Sequence, residues 1–408
     1  MAAASLTTAD RNHLKRALEL AERGRGWVSP NPLVGAVIAR DGEVIGEGFH
    51  AELGDLHAER AALEDCRERG EDPAGATMYV TLEPCAHRGR QPPCVEAILE
   101  AGISRVVIAS EDPSEKASGR GPGMLRDGEV VVDFAAGEEA TAARLLNQPF
   151  HKHARTGLPF VTLKLAMSLD GETTPPAGDS PWVSSAESRA LVHRWRAESD
   201  AIAVGIGTVL ADDPLLTARP QATASAPPSS FGPNSGPNLY GGAEARQPLR
   251  VVFDRQARLP LDSQLLQSLD VSPVLVVASQ AADPGRLAAL RDAGAETLVA
   301  DAVDAALSEL GRRGITSLFL EGGPALASAF RSANAIDEAR TFVAPVLLGK
   351  DASRAGGGAG GTTPEEASAT AGGGGSPAPT GPARQVALSQ AVEQIGDDTL
   401  ITARFKEW

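Results

Sequence analysis

The chain has 408 residues, and at about 150 residues per domain two domains are expected, so a single small module is excluded. Lys and Arg number 38 against 53 Asp and Glu, and the net charge of −15 lacks the positive field that non-specific nucleic-acid binding needs, which points to a small-molecule substrate. Three cysteines cannot build a disulfide framework, no early apolar run carries a cleavage site, and the longest apolar runs fall far short of the roughly 20 residues of a membrane span, so a reducing cytoplasm is expected and no membrane.

In chain order, Leu14, Ala17, Leu18 and Ala21 recur at helical spacing and predict a first helix, with Asp10 as N-cap and Gly24 as its stop. LVGAVIA from Leu33 to Ala39, the turn pair Asp41-Gly42, and VIGEGF ending at Phe49 predict a hairpin. A helix from about Leu56 to Arg69, a strand from Thr77 to Leu82, a helix from Pro93 to Gly102 and the strand RVVIAS follow, an alternation that implies a layered α/β/α domain. Near Phe160 a second α/β unit begins with the strand FVTLKLAMS. The strands AIAVG, LRVVFD, PVLVVAS, SLFLEGG and RTFVAPVLL then alternate with helical patterns in SAESRALVHRWRAES, GRLAALRDAG, AVDAALSELGRRG and GPALASAFRSA. The division falls between Gln148 and Gly157, giving domains over 1–150 and 151–408. Two stretches, about 220–247 and 352–384, are dense in Pro, Gly and Ser without aliphatic periodicity and read as low-complexity inserts in the second domain.

The sharpest local feature is His57-Ala58-Glu59 at a helix start, followed after a strand by Glu83-Pro84-Cys85 and then by Cys94 at the next helix start. One imidazole and two thiolates suit a catalytic Zn²⁺, which keeps three protein ligands and leaves one position for water. Glu59 lies two residues from His57 and cannot share its helix face, so it fits a carboxylate beside the metal that moves protons between water and a leaving amine. Zinc nucleobase deaminases carry this pattern with two residues between the cysteines; here the longer run AHRGRQPP separates them. Cys66 has no partner spacing and reads as packing. His13, His50 and His87 read either as ordinary surface or core histidines or, for His50 and His87, as lining of the same pocket.

SPNPLVGAVI (Ser29 to Ile38), HAERAAL (His57 to Leu63), TLEPCAHRGRQPPC (Thr81 to Cys94) and EDPSEKASGRG (Glu111 to Gly121) together resemble the deaminase half of the bifunctional riboflavin-biosynthesis deaminase-reductases. KLAMSLDG (Lys164 to Gly171), SPWVSSAESR (Ser180 to Arg189), GIGTVLADDPLLTAR (Gly205 to Arg219) and LFLEGGPALASAF (Leu318 to Phe330) resemble the reductase half of the same family, a domain similar to dihydrofolate reductase in fold. The resemblance implies a cytidine-deaminase-like first domain and two reactions. The 2-amino group of a diaminohydroxypyrimidine bearing a phosphoribosylamino chain is hydrolysed, and NADPH then reduces the ribosyl chain to ribityl. It also implies zinc ligands at His57, Cys85 and Cys94, a proton shuttle at Glu59, and a pyrimidine contact at Asn31.

For the reductase, the resemblance places the nucleotide on Met167, Trp182, Thr208, Asp212 and the run Gly323, Pro324, Ala325, Leu326, Ala327, Ser328 and Ala329. It places the phosphorylated substrate on Ser180, Arg196, Leu216, Arg219 and Glu321, and implies a homo-oligomer, a dimer or tetramer. Physical chemistry supports parts of this. Gly322 and Gly323 let backbone approach a ligand at a helix amino end, where free N–H groups favour phosphate, and guanidinium forks match phosphate at Arg196 and Arg219. No G-x-G-x-x-G fingerprint is present, which argues against a Rossmann domain. The chain departs from the family pattern at Glu172 and Gly322, at Ser114-Glu115, where Asn-Pro is usual, and at Arg255. Two competing readings are weaker. A deaminase of nucleic-acid bases conflicts with the charge and with 4% aromatic residues, and a purely structural zinc protein conflicts with Glu59 and the missing fourth ligand.

Overall fold

The computed structural model describes residues 6–88, 92–114, 117–173, 183–219, 246–349 and 385–408. The first unit contains α1 (Thr8–Glu22), β1 (Gly35–Arg40), β2 (Glu43–Phe49), α2 (Ala58–Glu68), β3 (Thr77–Val80), α3 (Cys94–Glu100), β4 (Arg105–Ile108), α4 (Arg120–Asp127), β5 (Val131–Phe134) and α5 (Glu138–Leu146). Its strands form one mixed sheet in the order β2-β1-β3-β4-β5, antiparallel at the hairpin side and parallel beyond β3. Because side chains alternate across a sheet, Val37, Ala39, Tyr79 and Val107 pack under α1, while Ala36, Ile38, Met78, Val80, Val106 and Ile108 pack under α2, α3 and α4. Each fully buried Val, Ile or Met of these layers contributes about 1.5–3 kcal/mol.

The hairpin sits close under α2 because Gly46 and Gly48 face it. A Cβ on Gly48 would meet the Ala62 nitrogen at 2.3 Å and the Ala58 carbonyl at 2.5 Å, and one on Gly46 would meet Cys66 Sγ at 2.4 Å. This contact fixes the height of α2 and of the His57 end above the sheet. Asp10 is not the N-cap of α1. Thr7 caps the helix, its hydroxyl accepting from the Asp10 N–H while the Asp10 carboxylate accepts from the Thr7 N–H, a reciprocal capping box. Asp10 is buried and also accepts from the Tyr79 hydroxyl at 2.8 Å and from Arg105 at 2.7 Å.

Helix α6 (Gln148–Thr156) leads to the second unit: β6 (Phe160–Ser168), α7 (Ala186–Glu198), β7 (Ala201–Gly205), α8 (Ile206–Asp212), β8 (Leu249–Phe253), α9 (Gln264–Gln267), β9 (Val274–Ala278), α10 (Pro284–Asp292), β10 (Glu296–Val299), α11 (Val303–Arg312), β11 (Ser317–Leu320), α12 (Pro324–Ser332), β12 (Glu338–Ala344), β13 (Ser389–Ile395) and β14 (Asp398–Arg404). Among the described residues its nine strands run β10-β9-β8-β7-β11-β6-β12-β14-β13. They are parallel through β12 and end in an antiparallel β12-β14-β13 edge. Ile202, Val204, Val252 and Val276 build the core on one face, and Ala201, Ala203, Val251, Leu275 and Leu320 the core on the other. The strand expected over RTFVAPVLL stops at Ala344, where Pro345 has no N–H to continue the ladder. The expected inserts fall outside the described residues except for Arg246 and Gln247, and so do Ser180, Trp182 and Glu115. Among the described residues, no helix is long and apolar enough to cross a membrane.

Candidate functional site

His57 is the N-cap of α2 in extended conformation, Cys85 lies in the loop after β3, and Cys94 is the first residue of α3. Three separate elements thus converge, and their ligand atoms all lie within 4.8 Å of one another. His57 Nδ1 is 3.6 Å from Cys85 Sγ and 3.4 Å from Cys94 Sγ. The Cys94 N–H, at a helix amino end, donates to Cys85 Sγ at 3.3 Å, which favours a thiolate there. The Cys85 thiol is pulled well below its ordinary value, chiefly by hydrogen bonding with Cys94 and further by His57, against its burial. The Cys94 thiol is pushed up by the same bond and by burial. One imidazole and two thiols at this spacing, with one thiol already acidic, fit a zinc ion, which ionises thiol ligands when it binds.

Glu59 points into this cluster from the first turn of α2, 3% exposed. Burial first, and the Cys85 charge second, push its carboxyl up to about 7, where it can take up and release a proton near neutral pH. Asn31 arrives from the loop before β1, and its Nδ2 lies 3.1 Å from His50 Nε2. His50 is buried, is held by the Leu56 carbonyl at 3.1 Å through Nδ1, and meets the His57 ring edge-on at 5.4 Å. His50 therefore lines the cluster, whereas His87 is exposed and His13 packs on Tyr79 under α1. Cys66 is core, wedged against Gly46, with its thiol raised to about 11 by burial. A residue given no role from sequence, Glu83, is buried beside the cluster, and its Oε2 accepts the Gly119 N–H at 3.1 Å, tying the loop after β4 to the Cys85 turn.

In the second unit α8 and α12 both start at the carboxyl ends of parallel strands, β7 and β11. Gly205 and Gly323 are their N-caps, and among the described residues neither helix has a side-chain cap; Pro324 opens α12 without an N–H. A Cβ on Gly323 would lie 3.9 Å from Thr208 Oγ1, which puts the two helix starts side by side. Pro324, Ala325, Ser328 and Ala329 are exposed along α12, while Leu326 and Ala327 are half-buried. Met167 is half-buried on β6 opposite Val343, and Asp212 ends α8 in solvent. This cradle of glycine and short side chains at helix amino ends fits the phosphates of a dinucleotide.

Next to the cradle, Glu321 follows β11 directly. Arg196, on the last turn of α7, grips it with Nε at 2.6 Å and Nη2 at 3.0 Å. Burial alone would raise the Glu321 carboxyl; Arg196 and then Lys164 outweigh it and hold it below its ordinary value. The fork expected to face phosphate is therefore turned onto Glu321, with Nη1 on the Thr217 carbonyl at 3.2 Å. Arg219 is exposed at the end of the same loop, and Leu216, buried at φ +53, shapes that loop. Lys164, on β6, was missed from sequence although it opens the quoted KLAMSLDG motif. It lies half-buried with Glu321 as a charge partner, its amine lowered by burial. Arg255 is exposed, and Glu172 joins the turn after β6 through its backbone bonds to Ser168.

A metal-type cluster with a buried proton carrier on one sheet, and a nucleotide cradle on another, define a zinc-dependent deaminase fused to a reductase. The family model "Cytidine and deoxycytidylate deaminase zinc-binding region" matches residues 7–110, and "RibD C-terminal domain" matches residues 159–375. The riboflavin biosynthesis protein RibD of Actinobacillus pleuropneumoniae is 39% identical over 350 residues, covering 84% of this chain and 85% of that protein. RibD of Escherichia coli K12 is 39% identical over 354 residues, covering 84% and 89%. The solved structure of Acinetobacter baumannii RibD superposes with a TM-score of 0.76 at 34% identity, covering 98% of this chain and 99% of that one. A Thermotoga maritima structure described as a diaminohydroxyphosphoribosylaminopyrimidine deaminase/5-amino-6-(5-phosphoribosylamino)uracil reductase gives 0.74 at 32% identity, covering 98% and 99%. The chain belongs to the RibD family: it is a bifunctional deaminase and reductase of riboflavin biosynthesis, with a zinc-binding deaminase domain and an NADPH-dependent reductase domain.

Proposed function

We propose that residues 1–150 hydrolyse the amino group of diaminohydroxyphosphoribosylaminopyrimidine, and that residues 151–408 then reduce 5-amino-6-(5-phosphoribosylamino)uracil, the two compounds named for the Thermotoga maritima protein. In this reading His57, Cys85 and Cys94 hold zinc, which when bound supplies the Lewis acidity that makes water nucleophilic near neutral pH. Glu59 accepts the proton of the attacking water and delivers it to the leaving amine, while Asn31, braced by His50, orients the pyrimidine. NADPH, when bound, would supply hydride to C1′ of the ribosylamino group, which is electrophilic as the imine formed on ring opening. The amino ends of α8 and α12, with Met167, Thr208, Asp212 and the face from Gly323 to Ala329, hold the nucleotide, joined in the resemblance by Trp182. Arg196 orients Glu321 and Arg219 meets the substrate phosphate, with Leu216 and, by resemblance, Ser180 around the substrate. The protein works as a homo-oligomer in the cytoplasm.

The observation that carries the deaminase reading is Glu59, buried in the first turn of α2 beside three convergent ligand atoms. Glu59→Gln is expected to keep zinc by elemental analysis and to lose deamination by roughly 10²–10⁴-fold, while NADPH-dependent reduction of the deaminated intermediate persists. Loss of zinc from that variant, or full deamination, refutes the assignment.

A further inference from the structure

The loop that carries Asn31 is tied to the reductase unit. Ser29 Oγ donates to Asp200 Oδ2 at 2.8 Å and lies 3.2 Å from Thr316 Oγ1. Asp200 sits in the turn between α7 and β7 with its side chain 1% exposed, and the same Oδ2 accepts from Thr316 N and Oγ1 at 2.8 Å and from Ser317 N at 3.1 Å. Arg246 Nη1 lies 3.1 Å from the other carboxylate oxygen and donates to the Gly26 carbonyl at 3.1 Å. Gly26 itself, at φ +84, runs so close to the end of α7 that a Cβ would meet the Ala197 carbonyl at 2.9 Å. On the far side of Asn31, Asn147 holds Leu33 in both directions, accepting its N–H at 2.8 Å and donating to its carbonyl at 2.9 Å.

The sequence explains why such ties are needed. Pro30 and Pro32 flank Asn31, so two of the backbone N–H groups that would anchor the loop do not exist, and beside the Asn31 N–H bond to the Val28 carbonyl at 2.9 Å its position relies on side-chain bonds from outside. A hydroxyl bonded to a buried carboxylate is among the stronger of these. The carboxylate also stands at a junction: α7 carries Arg196, and β11, which Thr316 precedes, leads into Glu321. The two elements that meet in the charged pair of the reductase therefore end on the group that holds the deaminase loop.

We propose that Asp200, a residue of the reductase unit, is a positioning residue for the deaminase: through Ser29 it sets where Asn31 meets the pyrimidine, so the deaminase substrate site is completed by the other domain. The proposal rests on the reading that Asn31 contacts the pyrimidine. The alternative is that Asp200 only caps the start of β11 and that Ser29 touches it without consequence.

The test uses the full-length, zinc-loaded protein and measures deaminase and reductase kinetics separately in Ser29→Ala, Ser29→Thr and Asn31→Ala. Ser29→Ala removes one donor and leaves the three from Thr316 and Ser317 in place. The deaminase KM is expected to rise about tenfold with kcat near that of the parent, the size of one hydrogen bond to a charged group, with reductase kinetics and zinc content unchanged and with recovery in Ser29→Thr. An unchanged deaminase KM in Ser29→Ala overturns the proposal, and so does a parallel fall in both activities, which would mark a purely structural contact. Asn31→Ala separates the two layers of the argument. A raised KM there beside an unaffected Ser29→Ala overturns the tie alone, whereas an unchanged KM in Asn31→Ala overturns the reading on which it rests.

Discussion

Removing Arg196 while leaving Glu321 puts a number on the charged pair at the reductase site. The two side chains are 14% and 10% exposed, so solvent screens their bidentate contact little, and stripping one partner from such a pair costs about 3–5 kcal/mol if the other must stay charged. Glu321 has another option. Without Arg196 it is a buried carboxyl with Lys164 and, more weakly, His193 as charge partners, and it can take up a proton. From an ordinary value of 4.5, protonation near pH 7 costs about 3.4 kcal/mol, which Lys164 trims to about 2–3 kcal/mol, beside the stability that the depressed carboxyl gives the parent.

The sign follows from linkage. In the parent, the depressed Glu321 carboxyl contributes stability that is present above its unfolded value of 4.5 and is lost as pH falls through its folded value. In Arg196→Met the folded value is raised, so that variant loses stability as pH rises above 4.5, by about 1.4 kcal/mol per pH unit until Glu321 ionises. The gap between the two proteins should therefore widen from pH 5, where the variant already lacks the stability that the depressed carboxyl gives the parent, to a maximum near neutral pH. Urea unfolding followed by tryptophan fluorescence at pH 5, 6 and 7 measures it, and Arg196→Met combined with Glu321→Gln should recover more than half of the loss at pH 7. A penalty that is flat with pH, or below about 0.5 kcal/mol at pH 7, would refute the reasoning.

Gly48→Ala drives a methyl group into the backbone of α2 at Ala58 and Ala62, and is expected to cost about 1–3 kcal/mol and to weaken zinc retention by lifting the His57 end; a variant with parent stability and zinc content would show that the hairpin does not set the height of α2. His151 is 1% exposed, its Nδ1 faces the Trp408 carbonyl at 3.2 Å, its Nε2 has no partner among the described residues, and burial lowers it from 6.5 to about 4. The folded protein keeps this ring neutral while the unfolded chain protonates it, so its stability is complete above 6.5 and drains as pH falls toward 4. His151→Gln should flatten that acid limb by about 2–3 kcal/mol in thermal or urea unfolding, and an unchanged limb would exclude His151 as its source.

Much of the site could be read from residues because its chemistry is local. His57, Cys85 and Cys94, with Glu59 and Asn31, lie in short motifs at strand ends and helix starts, and the Gly322-Gly323 turn marks the step from β11 into α12, where Gly322 packs against Leu326. What stayed hidden depends on partners distant in sequence. Arg196 looked like a phosphate fork until β11 brought Glu321 against it, and Lys164 and Glu83 act only through neighbours that the fold supplies. Asp10 was misread as a cap because Thr7 and Asp10 are both good capping residues, and Tyr79 and Arg105, which claim the Asp10 carboxylate, come from other strands. The strand β13 gave no alternating signal because nearly every one of its residues is exposed, and β5 and β10 are edge strands without a fully buried residue, unlike the equally short β3, β4 and β11.

The central claim is two chemistries in one chain, and the most direct test supplies zinc-replete protein with diaminohydroxyphosphoribosylaminopyrimidine, first without and then with NADPH, and follows the products by mass spectrometry. The account predicts replacement of one amine by oxygen in the absence of NADPH, then a gain of two hydrogens once NADPH is added. Reduction that precedes deamination, or no deamination by protein that retains its zinc, would contradict it.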